Sequence, residues 1–341
     1  MRRVLRWRWL VRVAGLVALG LLVIEAYEGW PSIAADLKRL PVPVWGWFAL
    51  AILADVASMG TYARLQRRLL SAGGTSVSLP NALALAYASH SLSDTLPGGP
   101  LFSTVFSFRR MRTLGAPAAV ASWVIALSGV LSSAALIVIG VVAGLLATGS
   151  TDGVALLCYA VIAAALIWSV RAVRRQPDLV VAAVLGSLRG VNRVLRRDPR
   201  RGSDRIEDLV AELTAVRIGG RNLAIVWAQA IANWLLDGLC LYLCLLAVGV
   251  TDASPVAVIL AYTAGMAALS VPFVPAGLGV VDGALILGLI AGGTGPAKAL
   301  AATVLFRLIT LGMIVGIGWV VWFFIRTPKP TESSPRSPGM Q

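Results

Sequence analysis

Long apolar runs separated by short polar loops dominate this 341-residue chain. A helix needs about 20 apolar residues to cross about 30 Å of hydrocarbon. About six runs come close enough to this length to predict membrane-spanning helices. They are Val11–Tyr27, Val44–Ala63, Pro117–Ala147, Val154–Val170, Asn222–Val248 and Ala297–Ile325.

Two further apolar segments are broken by proline and glycine, as LPGGP at Leu96–Pro100 and VPAGLG at Val274–Gly279. The pieces that follow, Leu101–Phe108 and Val281–Ile290, would extend only about 12 Å and about 15 Å as helices. Each break therefore predicts a re-entrant helical hairpin, because lipid tolerates broken backbone only where protein or a cavity satisfies it. A matching pair of breaks, one in each half of a chain, indicates the binding site of a transporter.

The basic residues predict the orientation. The net charge is +14, and cytoplasmic loops of membrane proteins collect lysine and arginine. With the predicted spans, every basic cluster and both termini fall on the cytoplasmic side, and the two hairpins enter the membrane from opposite faces. The sequence thus predicts an all-α polytopic membrane protein with an inverted repeat, whose halves are about 44–147 and 222–325.

Both halves belong to one predicted transmembrane domain, residues 1–326. Between them, residues 171–221 form the one large polar stretch. Apolar residues fall on one face of its segment Ile206–Arg217, which predicts an amphipathic helix on the cytoplasmic membrane surface. The tail at 327–341 is rich in proline and serine, a composition typical of disorder.

Composition excludes several classes of function. A mean hydropathy of +0.82 with 58% hydrophobic residues excludes a soluble globule. We expect no nucleic-acid partner, because no soluble domain presents the basic charge. The cysteines Cys158, Cys240 and Cys244 lie in apolar runs with no histidine close by, so we expect no metal and no cofactor. No nucleophile–base motif or phosphate loop appears, so we do not expect an enzyme.

The residues at the breaks are candidates for binding substrate. The short helices after the breaks would direct their N-termini to the membrane midplane, where free N–H groups and partial positive charge suit a phosphate. Glycine permits close backbone approach and positive φ there. The candidates are Pro97, Gly98, Gly99, Pro275, Gly277 and Gly279. The alternative is that these glycines only allow tight helix packing, as we expect of Gly140, Gly144, Gly312 and Gly316.

Charged residues inside apolar segments add to the candidates. Arg307 lies in the middle of the last predicted span, and a lone intramembrane charge costs several kcal/mol. Asp282, near the second break, is its natural partner, either in a structural ion pair or as the support of a phosphate-binding arginine. Arg109 and Arg110 follow the first hairpin and either bind phosphate or anchor the chain at the cytoplasmic surface.

Four more ionisable residues lie in apolar segments and are candidates for proton coupling: Asp55, His90, Asp94 and Asp237. His90 and Asp94 are four residues apart, so they share a helix face. Histidine titrates near neutral pH, which makes this pair a candidate protonation couple. The alternative is that they form ordinary polar contacts between helices.

The chain resembles the lysylphosphatidylglycerol synthase transmembrane-region family, a flippase-like membrane domain. The resemblance rests mainly on PFVPAGLGVVD at Pro272–Asp282 and LFRL at Leu305–Leu308. The family pattern there is Pro-x-Pro-Gly-Gly-Leu-Gly and an acidic residue, then an arginine inside the last long helix. The first half is similar more loosely, through Leu96–Gly99 and the arginines Arg109 and Arg110.

The chain also departs from the family pattern. Asp282 stands where the family usually has glutamate. At Pro100–Phe102 the family usually has glycine followed by glutamate, which puts a proton or cation role of the first half in doubt. Asp94, just before the break, is a candidate to replace that glutamate.

The resemblance implies translocation of an anionic phospholipid or a lipid-linked intermediate across a bacterial cytoplasmic membrane. In the synthases a soluble aminoacyl-transfer domain follows the membrane part. No such domain follows here, so we do not expect aminoacyl-lipid synthesis. One alternative is a non-transporting partner of a membrane-bound lipid-modifying enzyme or glycosyltransferase, acting through residues 171–221. The other is a small-anion transporter. The expected partners are anionic membrane lipids, and a homo-oligomer is left open.

Overall fold

The computed structural model describes residues 43–96, 98–147, 219–268 and 277–324. These ranges contain eight α-helices and no strand, which confirms the all-α fold class for the described part of the chain. The helices are α1 (Trp45–Ala72), α2 (Leu79–Thr95), α3 (Gly99–Thr113), α4 (Ala118–Ala147), α5 (Gly220–Ala247), α6 (Pro255–Ala268), α7 (Val280–Ala291) and α8 (Pro296–Phe324).

Four of these helices, α1, α4, α5 and α8, are long and apolar enough to cross a membrane. They correspond to four of the predicted spans. The other two, Val11–Tyr27 and Val154–Val170, lie outside the described residues, as do 171–218, the tail at 327–341, Pro97 and Pro275. The total of six spans therefore stays a prediction.

The end of α1 corrects one boundary. The sequence predicts that the second span stops at Ala63, before a cluster of arginines, whereas α1 continues to Ala72. The arginines are accommodated within the helix because they find polar partners. Arg67 Nε donates to the carbonyl oxygen of Val77 at 2.9 Å, and Arg68 Nη1 donates to Asn222 Oδ1 at 3.3 Å. A basic cluster marks where a helix leaves the apolar layer and not where the helix ends.

The two halves of the structure match element by element. Helices α1–α4 and α5–α8 both run in the order long, short, short, long. Exchanging the halves leaves the set of contacting helix pairs unchanged: α2 packs on α8 as α6 packs on α4, and α2 packs on α3 as α6 packs on α7.

The long helices α1 and α5 cross in opposite directions. The Val44 N–H, at the start of α1, donates to the Ala247 carbonyl oxygen at the end of α5 (2.9 Å). Ser58 Oγ, near the middle of α1, donates to the Asn233 carbonyl oxygen (2.9 Å). Inverted orientation of two matching halves supports the predicted inverted repeat, while its division at 44–147 and 222–325 stays a prediction.

Each half has its own apolar core. Buried side chains of the first half include Leu65, Leu85 and Val124, and those of the second include Tyr262 and Phe306. Trp234 of α5 packs against both clusters, and its indole N–H donates to the Ser132 carbonyl oxygen at 2.8 Å. The halves are therefore joined by packing as well as by the α1–α5 crossing.

The close-packing glycines agree only in part with those predicted. A Cβ at Gly140 would lie 3.4 Å from Thr263 Oγ1, so Gly140 packs closely as expected. Gly312 and Gly316 have no atom within 4 Å of where a Cβ would lie, so the prediction that they pack tightly is wrong. Gly318 takes this role, because a Cβ there would collide with Ser91 and with the carbonyl oxygen of Tyr87 in α2. The pattern of glycines alone does not show which face of a helix meets a neighbour.

Candidate functional site

The second break forms a glycine turn that leads into α7. Gly277 and Gly279 have φ of 61° and 81°, values that favour glycine. Asp282 Oδ2 accepts a hydrogen bond from the Gly279 N–H at 2.8 Å. Glycine has no side chain to return this bond, so the contact is half of a capping box. Asp282 thus stabilises the start of α7, a role that the spacing of glycine and acid three residues apart could have suggested.

The same carboxylate holds the arginine of the last span. Arg307 Nε donates to Asp282 Oδ1 at 2.5 Å, and this is the one ion pair between side chains within the described residues. The side chains are only 14% and 25% exposed. Arg307 Nη2 is buried and has no hydrogen-bond partner in the described part of the chain. The guanidinium of Arg307 is therefore fixed through Nε, and its Nη2 donors remain available.

At the first break, backbone N–H groups at the start of α3 are bonded within the chain. Gly98 has φ of 71°, but the Gly99 N–H donates to the Leu96 carbonyl oxygen at 2.8 Å, and the Leu101 N–H donates to Gly98 at 3.0 Å. Pro100 has no N–H. The first three residues of α3 thus offer no free N–H to an anion. Substrate binding by Pro97, Gly98 and Gly99 stays a prediction. Gly99 serves close packing, because a Cβ would collide with two carbonyl oxygens of α2.

The arginines after the first hairpin lie apart from the Arg307–Asp282 pair. Arg109 is exposed, and Arg110 is partly buried with an Nε that has no partner among the described residues. Both lie in the C-terminal half of α3, away from the break at its start. The structure shows no contact between either arginine and Asp282 or Arg307, so their substrate-binding role stays a prediction.

His90 and Asp94 do not form a direct ion pair within the described structure. His90 Nδ1 lies 2.9 Å from the Ala86 carbonyl oxygen, and the ring meets Tyr62 edge-on at 4.9 Å between centroids. Asp94 still lies within electrostatic reach of His90, and also of Arg307. The two residues lie on one helix face as predicted, and their role as a protonation couple stays a prediction.

The two aspartates of the crossing helices complete the ionisable set. Asp237 of α5 accepts a hydrogen bond from the Tyr262 hydroxyl at 2.5 Å and lies within electrostatic reach of Arg307 and His90. Asp55 of α1 interacts with Asp237, is only 4% exposed, and has an Oδ2 without a partner among the described residues. The sequence analysis did not single out Tyr262, because this residue lies in a mostly apolar helix.

These residues make one group, which we name the central polar cluster: Asp55, His90, Asp94, Asp237, Tyr262 and Arg307. It draws on both halves, with residues from α1, α2, α5, α6 and α8. Ionisable side chains are energetically costly in an apolar layer, which makes this cluster a candidate functional site.

Comparison with known proteins identifies the family. Residues 5–318 match the lysylphosphatidylglycerol synthase TM region. The chain belongs to this family. The match spans both breaks, Asp282 and all six residues of the central polar cluster, and it confirms the resemblance to this family. With its long apolar helices, this member of the family is a multi-pass membrane protein. Among curated proteins no match was found.

Proposed function

We propose that this protein translocates an anionic phospholipid, or a lipid-linked intermediate that carries a phosphate, between the leaflets of a bacterial cytoplasmic membrane. The observation that carries the proposal is the state of Arg307. It is a buried guanidinium in the middle of the last long helix, held at Nε by Asp282 and unpartnered at Nη2.

A guanidinium suits this task because of its fork of donors. Arginine presents five N–H donors in one plane and binds phosphate in two-point contacts. The bond to Asp282 fixes the plane, so little side-chain entropy is lost when a phosphate binds. Asp282 is itself fixed by the Gly279 N–H at the start of α7. If the ion pair were purely structural, the unpartnered Nη2 donor of Arg307 would serve no purpose. Leaving such a buried donor unsatisfied costs about 1–3 kcal/mol.

The surrounding elements supply a route. In the proposed mechanism, α2–α3 and α6–α7 are re-entrant hairpins that enter from opposite faces, consistent with the antiparallel crossing of α1 and α5. Small shifts of the two halves would open the central polar cluster to one face and then to the other. The carboxylates of Asp94 and Asp237 interact with Arg307 in the absence of substrate, and a phosphate would replace part of this interaction. No catalysis and no cofactor are part of this proposal.

The test is transbilayer exchange in proteoliposomes. Purified protein is reconstituted with fluorescent phosphatidylglycerol or phosphatidylcholine, and dithionite quenching reports the fraction in the outer leaflet. We expect the protein to accelerate exchange of phosphatidylglycerol over phosphatidylcholine. Arg307→Ala should slow that exchange at least about tenfold, because a charge-assisted hydrogen bond contributes about 1.5–3 kcal/mol.

Lys298→Ala is the matched control. Lys298 is also a cation of α8, but it is exposed and donates to the Gly249 carbonyl oxygen at 3.0 Å, away from the pair. The Lys298→Ala variant should exchange lipid at the wild-type rate. Equal exchange by wild type and Arg307→Ala would contradict the proposal. Saturable uptake of a soluble anion without lipid exchange would favour the small-anion alternative, and inactivity in both assays would favour the partner alternative.

A further inference from the structure

A hydroxyl-lined cavity lies between α1, α2, α3 and α4, apart from the Arg307–Asp282 pair. Its volume is about 240 Å³, which accommodates several waters or a small polyol and not just one water. Hydroxyl side chains from three helices line it: Ser89, Ser93, Ser103, Thr104, Ser107 and Ser128. We infer that this cavity binds the uncharged, hydroxyl-bearing part of the lipid headgroup. The inference rests on the proposed function and specifies its substrate class.

The polar groups of the cavity match a polyol, which both donates and accepts hydrogen bonds. Ser89, Thr104 and Ser128 donate to carbonyl oxygens of their own helices at 3.0, 2.7 and 3.1 Å, so their oxygens are left as acceptors. The hydroxyls of Ser93 and Ser107 form no hydrogen bond with another described residue, so they can donate to a ligand.

The buried amide of Gln66 is a second, independent observation that supports ligand binding in the cavity. Gln66 lines the cavity, is only 3% exposed, and donates from Nε2 to the Tyr62 hydroxyl at 3.2 Å. Its Oε1 is buried and has no partner among the described residues. An unsatisfied acceptor in an apolar layer is costly, and a ligand hydroxyl in the cavity would satisfy it.

The charges around the cavity favour a neutral group inside it. Among the described residues, its lining contains no arginine, lysine, aspartate or glutamate, and His90 and Tyr62 are its two ionisable residues. A phosphate or an ammonium group would lack a counter-charge there. His90 lines the cavity and also belongs to the central polar cluster, so the two share a residue. In this inference, a phosphate near Arg307 and a polyol in the cavity are parts of one headgroup.

The repeat places the cavity opposite the arginine. Gly129 lies at the same distance from the start of α4 as Arg307 from the start of α8, and Gly129 lines the cavity. Where the second half has a guanidinium, the first half has open space surrounded by hydroxyl groups.

The entrance of the cavity adjoins a surface for acyl chains. Pro100 and Thr104 are exposed at the N-terminal end of α3, while Ser107, Gln66 and Ser128 lie buried at the inner end. The neighbouring face of α3 exposes Leu101 and Phe102, which are 75% and 56% exposed. An apolar strip beside a polar cavity suits a lipid headgroup better than a free sugar.

Headgroups of equal charge test the inference. Exchange is measured in proteoliposomes for phosphatidylglycerol, phosphatidylinositol and phosphatidylpropanol; the last has the same phosphodiester charge but no hydroxyl. Because a site built to bond hydroxyls rejects an analogue that lacks them, the first two should exchange at least about tenfold faster. Gln66→Leu, and independently Ser107→Ala, should reduce this preference and leave phosphatidylpropanol unchanged. Gln229→Leu is the matched control, since Gln229 also has a buried unpartnered Oε1 but does not line the cavity.

The outcomes separate this inference from the proposed function. Equal exchange of the three lipids would overturn the polyol site and leave anionic-lipid translocation standing. If no lipid is exchanged, thermal unfolding in detergent with free myo-inositol decides. Stabilisation of the wild type but not of Gln66→Leu would show a polyol site for a soluble ligand, and no stabilisation would overturn both proposals.

Discussion

At the scale of single residues, Asp282 is the residue on which most of the site depends. One carboxylate oxygen caps the start of α7, and the other holds Arg307. Removing the charge of Asp282 leaves Arg307 in an apolar layer without its counter-ion. Such an uncompensated charge makes the loss of one partner of an ion pair strongly destabilising.

We therefore predict that Asp282→Asn destabilises the protein by about 1–3 kcal/mol, less than the about 3–5 kcal/mol of a fully buried pair, because both side chains keep some exposure. Thermal unfolding in detergent measures the loss. Asp252→Asn, at an exposed aspartate, is the control and should be neutral within about 0.5 kcal/mol. Equal effects of the two changes would mean that the pair contributes nothing.

Asp55 leads to the opposite prediction. Its side chain is 4% exposed and its Oδ2 has no partner in the described structure, and it lies near a second carboxylate, Asp237. Asp55→Asn removes a buried like-charge interaction and should raise the unfolding temperature. If Asp55 also couples protons to transport, the same variant should exchange lipid at a rate that no longer responds to a pH gradient. A lower unfolding temperature would show that the carboxylate is satisfied in the membrane.

At the scale of helices, close packing depends on glycines that face a neighbouring backbone. Gly318 of α8 lies against the carbonyl oxygen of Tyr87 in α2, whereas Gly316 faces open space. Two glycines of the same helix thus have different surroundings: Gly318 allows close packing, and Gly316 faces no neighbouring atom.

We predict that Gly318→Ala separates α8 from α2 and destabilises the protein by about 1–3 kcal/mol, the usual cost of overpacking. Gly316→Ala is the matched control. It should be neutral or stabilising by up to about 1 kcal/mol, since alanine is the better helix former. Unfolding in detergent compares them, and equal stability of the two variants would contradict the packing of α8 on α2.

Sequence reasoning succeeded where the residues are rare in an apolar context. Proline–glycine breaks and an intramembrane arginine are costly, and they pointed correctly to the interrupted helices, the Arg307–Asp282 contact and the family. It failed where the packing of helices determines which groups meet. The donors at the start of α3 are used by Leu96 and Gly98, which the glycine motif does not reveal. The Tyr262–Asp237 bond and the hydroxyl-lined cavity bring together residues whose positions follow no sequence period.

At the scale of the whole molecule, two halves with the same order of helices contribute different chemistry to one polar centre. The second half supplies the cation, Arg307, and the first supplies a cavity lined by neutral groups. Because α1 and α5 cross in opposite directions, the start of one meets the end of the other.

This arrangement predicts a specific crosslink. In a chain whose cysteines are replaced by alanine, Val44→Cys with Ala247→Cys should form a disulfide under mild oxidation, because their backbones are joined by a 2.9 Å hydrogen bond. Val44→Cys with Asn222→Cys should not, since Asn222 lies at the other end of the crossing, beside Arg68. Mobility on a denaturing gel reads the result, and the reverse pattern would refute the inverted orientation.

The most direct test of the account is lipid exchange by a charge-swapped variant, Asp282→Arg with Arg307→Asp. The swap keeps two opposite charges in contact but moves the guanidinium out of the last long helix. If Arg307 binds the phosphate, unfolding in detergent should show that the swap recovers stability lost in Arg307→Ala, while phosphatidylglycerol exchange stays at least about tenfold below wild type. Exchange restored to the wild-type rate would contradict the account and show that the pair only holds α7 against α8.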